Sequence, residues 1–215
     1  GQMTQSKKIG YVAAFPIPEV IYMIDAFTLG VRSITPDATV QVEWTNSWYD
    51  PVTEKQLANS LIDAGCDVMS QHQDSTAPVD AARERGKYAI GYHSDMLGFA
   101  TDTVLTSAIW NWGAYYTQEL KAVQDETWTT HAFFGSLKDG TVDLGAWGAM
   151  VPEGIKNQVA AKRAEIEGGS WDVFYGPIKK QDGTELVGDG GRLTDEQILS
   201  LMEFVEGVVG TIPTP

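Results

Sequence analysis

The chain has 215 residues, 43% of them apolar, enough to bury a core of its own, and sets 15 Lys and Arg against 29 Asp and Glu for a net charge of −14. That balance argues against nucleic acid and against anionic membrane surfaces as partners, and favours a soluble protein that resists non-specific association. The single cysteine, Cys66, excludes an internal disulfide, and no run approaches the ~18–20 apolar residues of a membrane span.

The opening Gly1-Gln-Met-Thr-Gln-Ser holds neither an initiator position nor a charged-then-apolar leader, and reads as the interior of a longer protein. Lys8–Phe15 is an apolar run ending in an aromatic, the first predicted strand. From Pro18 to about Ile34, Val20, Ile24, Phe27, Val31 and Ile34 recur at intervals of three and four, one apolar stripe that Thr35-Pro36-Asp37 ends. Thr39–Trp48 repeats the strand design. Asp50-Pro51, a cap and a first-turn proline, opens a second helix with Leu57, Leu61 and Ala64 inward and Gly65 as its stop. Cys66–Asp74 is a third strand, with Cys66 at its mouth as an inert buried thiol. A shorter helix from Pro78 to Arg85 turns Val79 and Ala82 inward, ends at Gly86, and leads into the fourth run, Lys87–Asp95. The rhythm β-α-β-α-β-α-β predicts an α/β fold, a parallel sheet flanked by crossover helices.

After Asp95 the rhythm breaks. Thr103–Ile109 reads as a further short strand, and Asn111 to about Asp125 as a helix. His131–Leu144 reads as a hairpin turning at Lys138-Asp139-Gly140, and Pro152–Glu167 as an amphipathic helix with Ile155, Val159 and Ile166 inward. Gln181-Asp182-Gly183-Thr184 is a tight turn. Thr194-Asp-Glu-Gln197 is a capping box opening a last helix whose stripe is Ile198, Leu201, Met202, Val205 and Val208.

In open parallel sheets ligands bind at the carboxyl ends of the strands. Phe15, Asn46, Ser47, Trp48, His72, Asp74, His93 and Asp95 fall there. Asp95 can accept paired hydrogen bonds from hydroxyls or an N–H edge, or cap the following loop. Trp48 can stack on a flat ligand or pack its own loop, and Phe15 can serve cleft or core. Trp110, at the exit from the sheet, points to the cleft, whereas Trp128, Trp147 and Trp171 read as packing. His72 and His93 end neighbouring strands; with Asp74 and Asp95 they could hold a metal, but hydrogen bonding to a ligand or loop suits them better. No nucleophile elbow, phosphate-binding glycine loop or His-Glu-x-x-His motif occurs, and nothing asks for a cofactor.

Lys8-Ile-Gly-Tyr-Val-Ala-Ala-Phe-Pro-Ile-Pro-Glu-Val, Asn46-Ser-Trp-Tyr-Asp-Pro, Ala89-Ile-Gly-Tyr-His-Ser-Asp-Met and Leu105-Thr-Ser-Ala-Ile-Trp-Asn-Trp-Gly resemble, in order, the basic membrane protein family. These are PnrA-like substrate-binding proteins of ABC transporters with a type I periplasmic-binding fold. The resemblance implies one complete lobe plus part of a second. Residues 1–105 would be the second ligand-binding lobe, 106–150 a hinge crossing with a helix and hairpin returning to the first lobe, and 151–215 helices and a hairpin completing both. It implies a purine base or nucleoside as ligand, transporter membrane subunits as partners, and a periplasmic location or one on the outer face of the cytoplasmic membrane, where family members are often lipoproteins. Trp48 corresponds to the aromatic that stacks on the base and Asp95 to the ribose-binding aspartate. Trp110 stands where nucleoside-binding members carry a lysine, which tilts the expectation to a free base such as adenine.

Two classes follow: a binding protein that closes by hinge motion without making or breaking bonds, or an enzyme on the same scaffold using Asp95 with His93 or His72 as acid and base. An effector domain of a transcription regulator shares the fold. The absent nucleophile and the aromatic strand ends favour binding. The helix from Asn111 is expected to leave Tyr115, Leu120 and Val123 uncovered unless the upstream half of the same protein, or an oligomer, hides them.

Overall fold

Alternation along the strands assigns each side chain to a layer. In the computed structural model, which describes residues 1–213, strand β1 (Lys8–Ala13) sends Ile9, Tyr11 and Ala13 to one core and Val12 to the other. Helix α1 (Pro18–Ile34) covers the first core with Val20, Ile21, Ile24 and Val31, and Phe27 meets Tyr11 edge to face at 5.8 Å. Ile34, predicted inward, lies on the last turn and is half exposed. Helices α2 (Pro51–Asp63) and α3 (Ala77–Glu84) cover the second core with Ala58, Leu61, Ile62, Val79, Ala81 and Ala82. The Asp50 carboxylate accepts the Thr53 N–H at 3.2 Å to start α2, and Gly65 and Gly86 take φ of 99° and 61° just past the two helices, where a Cβ would be strained. The Cys66 thiol is buried, and burial pushes its pKa up to about 11, the inert state expected.

Strands β2 (Thr39–Trp44), β3 (Val68–Gln71), β4 (Tyr88–His93), β5 (Val104–Trp110), β6 (Val142–Leu144) and β9 (Val208–Val209) complete one seven-stranded sheet, ordered β6-β5-β4-β3-β1-β2-β9. Every pairing in it is parallel except β5 with β6. The chain steps from β1 outward to β2, then back across β1 to β3. The strand order therefore reverses between β1 and β3, the place where such sheets hold a ligand crevice at the carboxyl ends. Strands β7 (Ile178–Lys179) and β8 (Glu185–Val187) form a separate hairpin through the Gln181–Thr184 turn.

Four expectations need correction. Residues 131–144 do not pair as a hairpin: the turn at Lys138–Gly140 forms, but the following strand β6 pairs with β5, whose edge offers a ladder that residues 131–137 do not. The last helix, α6 (Asp195–Leu199), keeps its capping box but stops at Leu199. Val205 and Val208 are buried outside any helix, because Gly207 at φ 99° turns the β-branched end of the segment into β9 beside β2. Helix α5 (Glu153–Glu167) buries no residue; Ile155 and Val159 are half-buried and Ile166 is exposed. Helix α4 (Trp112–Gln124) likewise buries none, with Tyr116, Leu120 and Val123 exposed and Tyr115 covered in part by Phe133, stacked at 4.1 Å. Trp147 packs on the main core as expected, but Trp128 is exposed and donates to Glu119 Oε2 at 2.6 Å.

Candidate ligand-binding site

The carboxyl ends of β1 to β5 bring five of the seven candidate side chains into a row of rings. Phe15 lies 5.3 Å from Trp48, and Trp48 lies edge-on to His72 at 5.7 Å. His72 in turn meets Tyr92 edge-on at 4.4 Å, and Tyr92 meets both His93 at 5.3 Å and Trp110 at 6.0 Å. The row continues past the sheet through Trp112, which stacks on Tyr116. It crosses the β1/β3 crevice, because Phe15 follows β1 and His72 follows β3, where its N–H donates to Val12 O at 2.8 Å.

Local chemistry holds each piece. Asn46, at φ 52°, makes the sharp exit from β2 in a left-handed conformation that Asn tolerates best among residues with a Cβ. The loop beyond it is tied by Thr45 Oγ1 donating to Ser47 O at 2.7 Å and by Asp74 N donating to Trp48 O at 2.9 Å. Gln73 is buried and donates from Nε2 to Thr45 Oγ1 at 3.0 Å, so the end of β3 braces the Trp48 loop. His93 also has a positive φ, 53°, at the exit of β4, and its Nε2 lies 3.7 Å from Asp74 Oδ1.

His72 is wholly buried, with Nε2 2.5 Å from the Tyr92 hydroxyl. Burial first, and the nearby His93 second, pull its pKa down to about 4, so the ring is neutral. Burial, with the charges of Tyr11, Glu19 and Asp74 adding to it, holds the Tyr92 phenol well above its ordinary value. Asp95 stands apart from the rings. Its Oδ1 accepts Leu97 N at 3.0 Å and its Oδ2 accepts Ala146 N at 3.1 Å, so it caps the loop after β4 and ties it to the segment after β6. The residue is exposed. Among the described residues no three His, Cys, Asp or Glu side chains converge as metal ligands.

Tyr92 was not singled out from sequence. The signal for it is period two: Tyr88, Ile90 and Tyr92 share one face of β4, and the last of them sits level with the strand ends. None of the segments Ala13–Pro18, Trp44–Pro51, Gln71–Ala77, His93–Leu97 and Trp110–Trp112 contains Lys or Arg. The row is therefore an aromatic surface with acidic and imidazole neighbours, suited to a flat, uncharged or cationic ring rather than to a phosphate.

The family model described as ABC transporter substrate-binding protein PnrA-like matches residues 1–168. The chain belongs to this PnrA-like family. That family is one of solute-binding proteins, which sets aside the acid–base enzyme. A purine-binding protein of Brucella abortus is 40% identical over 212 residues, 99% of this chain and 60% of that protein. A protein of Haloferax volcanii named for an ABC transporter and for glucose binding is also 40% identical, over 214 residues, 100% of this chain and 52% of that protein. The PnrA-like chain thus spans little more than half the length of these relatives. Among solved structures, a transcriptional activator of the comK gene from Bacillus halodurans aligns with a TM-score of 0.70 at 24% identity, over 79% of this chain and 59% of that one. A solute-binding protein of an ABC transporter system from Conexibacter woesei aligns at 0.64 and 19% identity, over 78% and 57%. At such identities these two likenesses concern the fold alone, a mostly parallel sheet flanked by helices.

Proposed function

We propose that the ring row is one wall of the cleft in which an ABC importer's solute-binding protein captures a purine base, adenine-like in shape, or a purine nucleoside. The single observation that carries this reading is the unbroken series Phe15, Trp48, His72, Tyr92 and Trp110 across the crevice where the strand order reverses. Rings on this wall stack on the base, and Asp95, Asp74 and His93 offer polar edges beside it. The aromatic Trp110 in place of a cation favours a free base over a nucleoside. The Brucella relative supports a purine, and the Haloferax relative supports a second reading, glucose, which aromatic walls also hold by stacking. The captured ligand would pass to membrane subunits of the transporter, on the periplasmic or outer face of the membrane; a lipid anchor is part of the same proposal. Among the described residues no helix is long and apolar enough to cross a membrane.

Mass spectrometry of small molecules released by denaturing the purified protein, followed by calorimetric titration with adenine, adenosine and glucose, tests this. Purine binding accompanied by a change in tryptophan fluorescence is the expected result. Glucose binding with no response to purines would overturn the ligand while leaving the wall in place.

A further inference from the structure

We propose that Tyr92 is a ligand-facing hydrogen-bond donor and that buried His72 commits it to donating. The inference rests on reading the ring row as a ligand wall and names which polar atom of that wall selects the ligand. A neutral imidazole carries one proton, on Nδ1 or on Nε2. His72 Nδ1 is buried with no hydrogen-bond partner among the protein's atoms, while Nε2 lies 2.5 Å from the Tyr92 hydroxyl. A proton on Nδ1 would leave a polar N–H orphaned in the core; a proton on Nε2 leaves only a lone pair there. Buried orphan donors are rarer than under-satisfied acceptors among backbone groups, and the same asymmetry applies here. Nε2–H therefore donates to the Tyr92 oxygen, and the phenol's own proton is free for another acceptor.

The position of Tyr92 says where that acceptor comes from. The residue is half-buried at the centre of the row, with His72 on one side and Trp110 on the other. A ring stacked on this wall brings its in-plane acceptors, a ring nitrogen or a carbonyl, level with a phenol whose proton is unclaimed while His72 Nε2–H takes one of its two lone pairs. A ligand edge carrying an N–H at that place finds only the remaining lone pair and binds less well. Tyr92 thus determines specificity, and His72, which would not touch the ligand, is a positioning residue.

The test has two readouts on the intact protein. Long-range 1H–15N correlation spectra, assigned by loss of the signal in His72→Gln, report the His72 tautomer without ligand. The Nε2–H form is expected, and the Nδ1–H form would overturn the proposal. Titrations with adenine and with its 1-deaza, 3-deaza and 7-deaza analogues then locate the acceptor. One analogue should bind wild type about tenfold more weakly than adenine. Tyr92→Phe should erase that gap, His72→Gln, whose amide N–H can replace Nε2–H, should keep it, and His72→Leu should lose it. A gap that survives intact in Tyr92→Phe refutes the proposal even where stacking is confirmed. Failure of adenine to bind wild type would instead refute the purine reading, and the tautomer would still decide the Tyr92 assignment.

Discussion

Trp48 owes its place to two polar neighbours, buried Gln73 and half-buried Thr45, as well as to the rings beside it. Truncating it to Ala should remove one stacking face, worth ~1–3 kcal/mol per base, and weaken ligand binding about ten- to a hundredfold in a titration. A second buried side chain acts on stability. Asp25 lies in the core of α1, its Oδ1 accepting Val205 N at 3.0 Å and its Oδ2 unpartnered. Burial raises its pKa to about 8, against which the Val205 bond pulls only partly. A raised carboxyl favours folding in its protonated form, so its contribution is complete below the ordinary value of 3.8 and is lost as pH rises towards about 8. His72 acts in the opposite sense, since a depressed imidazole costs stability as pH falls from 6.5 to about 4. The two offset each other in acid. Between about pH 6.5 and 8 Asp25 is opposed by the Gly1 amino group, which burial lowers from 8.0, so wild type should lose melting temperature there relative to Asp25→Asn. A parallel decline in both proteins would contradict the assignment.

At the scale of elements, the Thr194–Gln197 capping box starts a helix of one turn and a half, so its loss should be felt locally. Thr194→Ala should cost ~1 kcal/mol, seen as a shift in denaturant midpoint with unchanged slope. The first three βα units and β4 were legible from sequence to within a few residues, because each helix joins a clear period to a cap, a first-turn proline or a glycine stop. The later elements were not. Val205 and Val208 fit a helical stripe as well as they fit a strand, and only the vacant edge of β2 decides between them. Residues 131–137 carry the aromatic content of a strand, but Phe133 is drawn to Tyr115 instead. In the site, the strand-end rings were legible and their order was not. The sequence suggests that His72 hydrogen-bonds a ligand or loop, whereas its Nε2 faces the Tyr92 hydroxyl of β4, and the central part of Tyr92 depends on which face of β4 meets the crevice.

For the whole molecule, the telling contrast is between helices. Helices α1 to α3 bury their apolar stripes on the sheet, whereas α4 and α5 bury none, and Tyr116, Leu120 and Val123 of α4 are each more than half exposed. A patch of this kind marks a contact surface. We propose that the remainder of a two-lobed protein covers it, which agrees with a chain spanning 60% and 52% of its relatives. Residues 1–215 produced alone should bind an apolar dye or self-associate, and Leu120→Lys with Val123→Lys should abolish both. A monodisperse monomer that binds no dye would sink the proposal.

The two outermost strands of the sheet have a different consequence. β6 pairs over three residues and β9 over two. A stranger seeking to extend the ladder thus meets an outermost strand of only three or two residues on either flank, and an exposed strand edge is the usual template for fibrillar growth. Proline, lysine and bulges commonly blunt such edges; brevity does it here. A broad face of α4 thus stands open while the sheet offers copies of the chain only short outermost strands.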